Sequence, residues 1–383
     1  MFQIIPTTFW YDFVARRRFW AGISFAASGI GLVLFMVVGP NWSIDFTGGT
    51  EVEMHFEKPT TIAEVRTALT PQGVAEDAVQ QFGGPEESRY VVRLPGASSS
   101  KPEDVEAVRT ALTAKFGADW IDEFTVGDEV GSRAAVLYKG APVELTAISE
   151  ALAAIPGSSV QASPEENTFY VRLPGIAEGI RKAVDTQLAG HELIVDRADS
   201  VGPKVGSSLR KAGLTAVTWS VILHLLYVGF RFELAFAPGA ILCLVHDVTI
   251  VCGILVLSRL DFGLSTVSAL LTLTGYSLND TIVVYDRIRE NSQRFKRKDF
   301  GDLINVSINQ TLSRTIMTSG ATSLAMIPFL FWGGAVLREF AIVMLLGIVI
   351  GTYSSIYVAA PLTMLLTENE DRIRALVGLK KKA

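Results

Sequence analysis

Six long apolar runs punctuate the chain, and the first stands apart from the other five. They are Phe19–Gly39, Ala212–Phe230, Ala235–Leu257, Leu264–Tyr285, Ser313–Trp332 and Phe340–Leu365. A spanning helix needs about 20 mainly apolar residues, so each run is a candidate span. Between the first and second, short alternating stretches and amphipathic stretches replace the apolar runs, which is the pattern of a folded region outside the bilayer. The chain reads as a polytopic α-helical membrane protein with one large extramembranous region. Arg16, Arg17 and Arg18 precede the first run, which ends in Gly39-Pro40-Asn41-Trp42. That ending lacks a small-x-small cleavage site and the run is long for a signal peptide, so it reads as an uncleaved helix.

The extramembranous region carries an internal repeat. Tyr90-Val91-Val92-Arg93-Leu94-Pro95-Gly96 recurs as Phe169-Tyr170-Val171-Arg172-Leu173-Pro174-Gly175, and Val126-Gly127-x-x-Val130-Gly131-Ser132 recurs as Val201-Gly202-x-x-Val205-Gly206-Ser207. In the first copy the pattern predicts strands at Glu51–Phe56, Ala78–Phe82, Arg89–Leu94 and Trp120–Val126, with helices at Thr61–Leu69 and Glu103–Phe116. In the second it predicts strands at Ala134–Tyr138, Ser158–Ala162, Thr168–Leu173 and Glu192–Arg197, with helices at Pro142–Ala154 and Ile176–Leu188. Each copy is then βαββαβ, the α+β ferredoxin-like order. The expected division is an N-terminus and first span over 1–40, ferredoxin-like domains over 41–130 and 131–205, five spans over 206–367, and a basic tail over 368–383. No nucleophile is paired with a base in the repeats, which suits binding and no enzymatic reaction.

Charge sharpens the division. Residues 45–205 hold 26 acidic and 14 basic side chains, so the overall charge of −5 combines an acidic soluble region with a basic membrane part. The acidity argues against nucleic-acid binding. Cys243 and Cys252 share one apolar run, and His55, His191, His224 and His246 are scattered, so neither a disulfide framework nor a metal or organic cofactor is expected. Lys and Arg mark cytoplasmic loops. They cluster before the first span, at 286–298 (Arg287, Arg289, Arg294, Lys296, Arg297, Lys298) and at Lys380–Lys382. With six spans these sites fall on one side, which predicts cytoplasmic termini and an acidic region outside, in a bacterium the periplasm.

Ionisable groups inside spans are costly, at about 2.5–3.5 kcal/mol at a helix centre on insertion scales. Asp280 lies about 9 Å of helix before the basic loop, Arg314 is just inside the fifth span, and His246-Asp247 is mid-way along the third. Thr272, Tyr276 and Asp280 recur every fourth residue, as do Gln310, Arg314, Thr318 and Thr322; Asn279 adjoins the first set. These are expected to be polar stripes along a water-filled or helix-lined path, a proton relay in which the carboxylate at Asp280 alternately pairs with Arg314 and takes a proton, with Asp247 as a further acidic site; a static Asp280–Arg314 salt bridge is the bland alternative. Gly347, Gly351 and Ser355 make a small-residue face for close packing. Phe300–Leu312 reads as an amphipathic stretch along the cytoplasmic interface.

Three stretches carry a family likeness. They are Ile44-Asp45-Phe46-Thr47-Gly48-Gly49-Thr50, Gly275-Tyr276-Ser277-Leu278-Asn279-Asp280-Thr281 with its continuation to Asn291, and Ser307-Ile308-Asn309-Gln310-Thr311-Leu312-Ser313-Arg314-Thr315. Together with Gly351-Thr352-Tyr353-Ser354-Ser355, they resemble the SecD/SecF family of protein-export membrane proteins, within the RND superfamily. The resemblance implies a half-transporter in the bacterial inner membrane, completed to twelve spans by SecD. It implies work beside the SecY-E-G channel and SecA, with proton motive force promoting preprotein translocation and release on the periplasmic side. It also implies proton-relay roles for Asp280 and Arg314, a less defined one for Asp247, and a family motif at Asp45, Phe46, Gly48 and Gly49. An RND-type exporter of lipid or small molecules is the competing reading. The family usually has one ferredoxin-like domain here, whereas this chain has two.

Overall fold

The computed structural model describes residues 10–72, 74–82, 85–95, 102–127, 133–140, 142–155, 157–173, 176–188, 190–231, 236–295 and 299–368. Parts of both repeat motifs (Gly96, 128–132, Pro174, Gly175) and the basic residues Lys296–Lys298 and Lys380–Lys382 lie outside the described residues. In chain order the elements are α1 (Arg17–Val37), β1 (Asn41–Trp42), α2 (Ile44–Thr47), β2 (Gly49–Phe56), α3 (Ile62–Leu69), β3 (Val79–Phe82), β4 (Arg89–Pro95), α4 (Pro102–Phe116) and β5 (Ile121–Gly127). There follow β6 (Arg133–Tyr138), α5 (Leu145–Leu152), β7 (Ser159–Ala162), β8 (Thr168–Arg172), α6 (Ile176–Gln187), β9 (Leu193–Val201) and α7 (Pro203–Arg231). The last group is α8 (Ala237–Leu257), β10 (Asp261–Phe262), α9 (Leu264–Arg294), α10 (Phe300–Trp332), α11 (Gly334–Ser354), a π-helical stretch Ser355–Ala359, and α12 (Ala360–Glu368). Two compact units result, one from residues 1–42 with 213–383 and one from 43–212.

In the α+β unit the two repeats exchange their second halves. One antiparallel sheet has the order β3-β4-β2-β9 and the other β5-β6-β8-β7. The expected first copy closes with β5; in the structure β9 pairs with β2, from Gly49↔Val201 to Phe56↔Leu193. Likewise α6 gives Ile180 and Val184 to the core of Val52, Met54, Val65, Leu69, Tyr90 and Val92. The second sheet takes α4 instead, whose Val108 and Leu112 pack with Val136, Ile148, Leu152, Phe169 and Val171. Each sheet still has the ferredoxin-like neighbour order, but residues 102–173 form a permuted module inserted into the other. Chain locality favours the exchange. It makes β5 and β6 a hairpin (Gly127↔Arg133), and closing a short loop costs less entropy than pairing strands far apart in sequence.

The turn into the first sheet explains one motif. The Ser43 hydroxyl accepts from the Asp45 N–H at 3.1 Å and starts the single turn of α2. Phe46 is buried in this turn. Gly48 then takes φ 68° and Gly49 φ 133°, both left-handed values that suit glycine. A Cβ on Gly48 would lie 2.9 Å from the Pro203 Cα, and one on Gly206 would lie 2.8 Å from the Gly48 nitrogen. The glycines therefore do more than reverse the chain, because they let the entry to β2 touch the exit from β9.

Among the described residues six helices are long and apolar enough to cross a membrane: Arg17–Val37, Pro203–Arg231, Ala237–Leu257, Leu264–Arg294, Phe300–Trp332 and Val336–Thr367. The chain is a polytopic helical membrane protein. α8, α9 and the α11–α12 span form the packed centre, while α1, α7 and α10 are mostly exposed. The expected interfacial helix at Phe300–Leu312 is instead the first part of α10, one unbroken 33-residue helix. Its apolar face is not left for lipid, because Leu303, Ile304 and Ile308 pack with Phe13, Val14 and Met364. Two amides fix the N-terminal segment there. Asn305 Oδ1 accepts from the Phe13 N–H at 2.9 Å, and Asn309 bonds both the N–H and C=O of Tyr11.

Close helix approach is set by glycine. A Cβ on Gly253 would overlap the Gly31 backbone, whereas one on Gly22 meets nothing within 4 Å. Gly253→Ala is therefore expected to destabilise the chain by about 1–3 kcal/mol, the usual cost of overpacking. Gly22→Ala should not, as thermal unfolding in detergent will report. In the α+β unit, Glu53 is buried on β2, and burial pushes its carboxyl above the usual range. Glu51, Asp196 and Asp199 add to the effect and Arg197 opposes it. A carboxylate raised in the fold costs stability when ionised, and the cost disappears as pH falls through the raised value toward 4.5. Hydrogen exchange at β2 and β9 should slow over that descent, and Glu53→Gln should slow it already at neutral pH and flatten the dependence.

Candidate functional site: buried carboxylates between helices

Two carboxylates sit in the packed centre of the helical unit, Asp247 at 1% exposure and Asp280 at 2%. Buried charge is tolerated only with donors or counter-charge. Asp247 receives Oγ–H donors from Ser277 of α9 at 2.5 Å and Ser354 of α11 at 2.8 Å, both to Oδ2. Its Oδ1 is 2.8 Å from His246 Nδ1. Cys243 Sγ reaches Ser354 Oγ at 3.1 Å and lies 3.9 Å from Thr281 Oγ1. Asp280 accepts from Ser319 of α10 at 3.5 Å, and Ser319 is 2.7 Å from Thr352 of α11. Hydroxyls from three helices thus surround the pair of acids.

Glycine on α11 makes this possible. A Cβ on Gly347 would overlap the Leu273 side chain, and one on Gly351 would come within 3.1 Å of the Ser277 Cβ. Without those methyls α11 lies close enough to α9 for Ser277 and Ser354 to reach one carboxylate. Ser355, one residue further, is fully buried and donates to the Thr352 carbonyl at 3.0 Å.

Arg314 does not pair with Asp280. It is exposed on α10 and attracts Asp280 through space, and among the described residues it makes no ion pair. The static bridge is therefore absent from this conformation. The four-residue stripes also come apart. Thr272 is exposed, Tyr276 half-buried and Asp280 buried, because four residues turn a helix by about 400° and each step drifts about 40°. Thr272 and Thr318 donate to carbonyls of their own helices at 2.8 Å and 3.1 Å. Gln310 accepts from Arg287 Nε at 2.6 Å and from Asn291 Nδ2 at 2.9 Å, so it ties the ends of α9 and α10 together, away from the acids. The Tyr276 hydroxyl is buried with no partner among the described residues. Asn279 lines a cavity of about 570 Å³ with Trp219, His224 and Tyr227 of α7.

Stepping by four from Asp280 misses Ser277, Thr281, Ser319, Thr352, Ser354 and Cys243. The mixed three-and-four spacing of a buried helix face finds Thr274, Ser277, Asp280 and Thr281 on α9, while on α10 the buried row is Thr311, Thr315 and Ser319, one position past the row of Gln310, Arg314 and Thr318. No group of metal-ligating side chains occurs among the described residues.

Known sequences and structures agree on what this arrangement belongs to. Residues 182–369 match the family described as "Protein export membrane protein SecD/SecF, C-terminal", and residues 33–60 match the SecD/SecF GG motif. "Protein translocase subunit SecF" of Magnetococcus marinus is 35% identical over 362 residues, covering 94% of each chain. The protein of the same name from Escherichia coli O157:H7 is also 35% identical, over 93% of this chain and 88% of its own. The crystal structure of SecDF, a translocon-associated membrane protein from Thermus thermophilus, superposes with a TM-score of 0.64 at 30% identity. That match covers 96% of this chain and 40% of the SecDF chain. The chain belongs to the SecD/SecF family of protein-export membrane proteins.

The role of Gln310 at the helix ends is open to a direct check. Gln310→Leu removes the shared acceptor of Arg287 and Asn291, so amide exchange over residues 287–294 should rise several-fold while exchange around Asp280 stays unchanged.

Proposed function

We propose that the chain is the six-span subunit of a protein translocase, using proton flow to promote preprotein translocation and release outside the bacterial inner membrane. The role in translocation follows the name its relatives carry over nearly their whole length. The observation that supports proton coupling is Asp280: a deeply buried carboxylate, met among the described residues by the Ser319 hydroxyl, with a guanidinium nearby that it does not bind. Such an acid can stay neutral as it stands, or ionise when Arg314 swings to it. The two states differ by one proton and by the relative position of α9 and α10. Moving one charge through 100 mV is worth about 2.3 kcal/mol, enough to bias such a motion.

The same geometry supports a partner. Thr272, Asn279, Gln310 and Arg314 are exposed on membrane-spanning helices, and a guanidinium against lipid is costly. A second set of spans laid on this face, as SecD would supply, removes the cost. In this reading SecD completes twelve spans, and SecY-E-G and SecA deliver the preprotein. Asp247 joins Asp280 in the relay, Tyr276 and Asn279 border it, and Thr318 contributes only within α10. The basic residues at 16–18 and 286–298 favour cytoplasmic termini and a periplasmic α+β unit. No enzymatic step is needed.

Asp280→Asn keeps the hydrogen bond and removes the titratable group. Export by the assembled translocase in membrane vesicles should fall to its gradient-independent level, roughly tenfold or more below wild type, with normal insertion and co-purification. Arg314→Met should behave alike. Undiminished gradient-driven export in either variant removes the relay.

A further inference from the structure

We propose that His246 and Asp247 bind one proton as a unit, His246 being the counter-charge that lets Asp247 ionise in the helix core; this rests on the proton-driven reading above. Asp247 is almost fully buried, and its three close donors are two hydroxyls and the imidazole. Among the described residues no Lys or Arg forms an ion pair with it. Hydroxyls orient a carboxylate without neutralising it, and an uncompensated buried charge is strongly unfavourable. Among the described residues His246 is the one side chain bonded to Asp247 that can become a cation.

The geometry fixes the form of the pair. With Asp247 ionised, Nδ1 must carry the hydrogen that points at Oδ1, so the second imidazole proton sits on Nε2. That atom is buried and has no partner among the described residues. Nε2 is therefore the exchangeable position: the charged pair is neutral overall, and when a helix motion brings Nε2 to water, loss of its proton leaves one net negative charge on Asp247, still held by Ser277, Ser354 and the Nδ1–H of the neutral imidazole. No other bond changes. Each serine belongs to a different helix, so the change is felt by α9 and α11 together.

The surroundings hold few other titratable groups. Cys243 is on the same helix and reaches the pair through Ser354. α9 offers Asp280, one turn beyond Ser277, and Tyr276. The last span offers Tyr353, whose ring centre is 6.3 Å from that of the imidazole, and Tyr357, whose ring is tilted 32° to that of Tyr353 with centres 5.4 Å apart. From α1, Ser24 is 2.8 Å from the Tyr353 hydroxyl. Neither tyrosine is a cation in any state, which leaves the histidine with the role.

The test compares export by the complete translocase in vesicles with and without a proton gradient, across pH. His246→Gln should lower gradient-driven export roughly tenfold or more and flatten its pH profile, leaving gradient-independent export intact. The double variant His246→Gln/Asp247→Asn has a neutral core pair, so it should accumulate at wild-type level and be no worse coupled than His246→Gln alone. It stands in for the single variant if that fails to accumulate. Wild-type coupling and pH profile in His246→Gln, or in the double variant, overturn the proposal. Asp280→Asn in the same vesicles separates the two ideas. Lost coupling there with intact coupling in His246→Gln sinks only the histidine's role, whereas intact coupling in Asp280→Asn sinks the proton-driven reading itself.

Discussion

A carboxylate inside a bilayer has no water to solvate it, and most of the helical unit follows from how that need is met. Asp247 and Asp280 are surrounded by hydroxyls: Ser277, Ser354, Ser319 and, behind it, Thr352. A serine side chain is short, so its donor reaches an acid on another helix only if the backbones nearly touch. Gly347 and Gly351 on α11 provide that approach to α9, and Gly31 with Gly253 provides it between α1 and α8. Close packing and polar chemistry are one requirement here, since a methyl at Gly351 would press on the serine that serves Asp247. The π-helical stretch Ser355–Ala359 falls directly after this contact. There the Tyr285 hydroxyl donates to the Ala359 carbonyl at 3.1 Å, in space kept by Gly239.

Much of this was legible in the sequence. Apolar runs of span length marked all six helices, and acids within such runs marked Asp247 and Asp280, because the energetic penalty of a membrane charge makes it conspicuous. What the sequence obscured was direction. A step of four residues keeps neighbours on one face only briefly, so Thr272 and Asp280 diverge. A basic residue one position from a buried face, such as Arg314 beside Thr315, gives no sign in the sequence that it points outward. Helix ends were blurred for a similar reason. α9 and α10 run well past their apolar stretches, since residues such as Asn291, Ser307 and Gln310 satisfy one another there and keep the helix going. Nor could periodicity reveal the Asn305 and Asn309 clamp on residues 11–13, where the partners are almost 300 positions apart.

The α+β unit was read correctly strand by strand and wrongly in assembly. Alternation fixed which residues form strands, and the two motifs showed the duplication. Two identical βαββαβ patterns in tandem leave undecided whether each copy closes on itself or borrows its last helix and strand from the other, because the swapped strands bury equivalent apolar positions. The deciding quantity is loop length. β5 and β6 are separated by five residues and pair edge to edge, an inexpensive closure that self-contained copies would forgo.

The exchange has a mechanical consequence. α1 leads through α2 into β2, and β9 leads into α7, so the two chain connections to membrane spans enter neighbouring, antiparallel strands of one sheet. Had each copy closed on itself, the entering strand would belong to one module and the leaving strand to the other, and pulling on the spans would load the seam between modules. As built, a displacement of α1 against α7 is borne by the β2–β9 hydrogen bonds and by the tight contact of Gly48 with Pro203 and Gly206. The inserted module of residues 102–173 hangs from that sheet without lying in the path. The glycines of the motif at Asp45–Gly49 then matter for the same reason as those on α11: both let two stretches of chain meet where a Cβ would hold them apart.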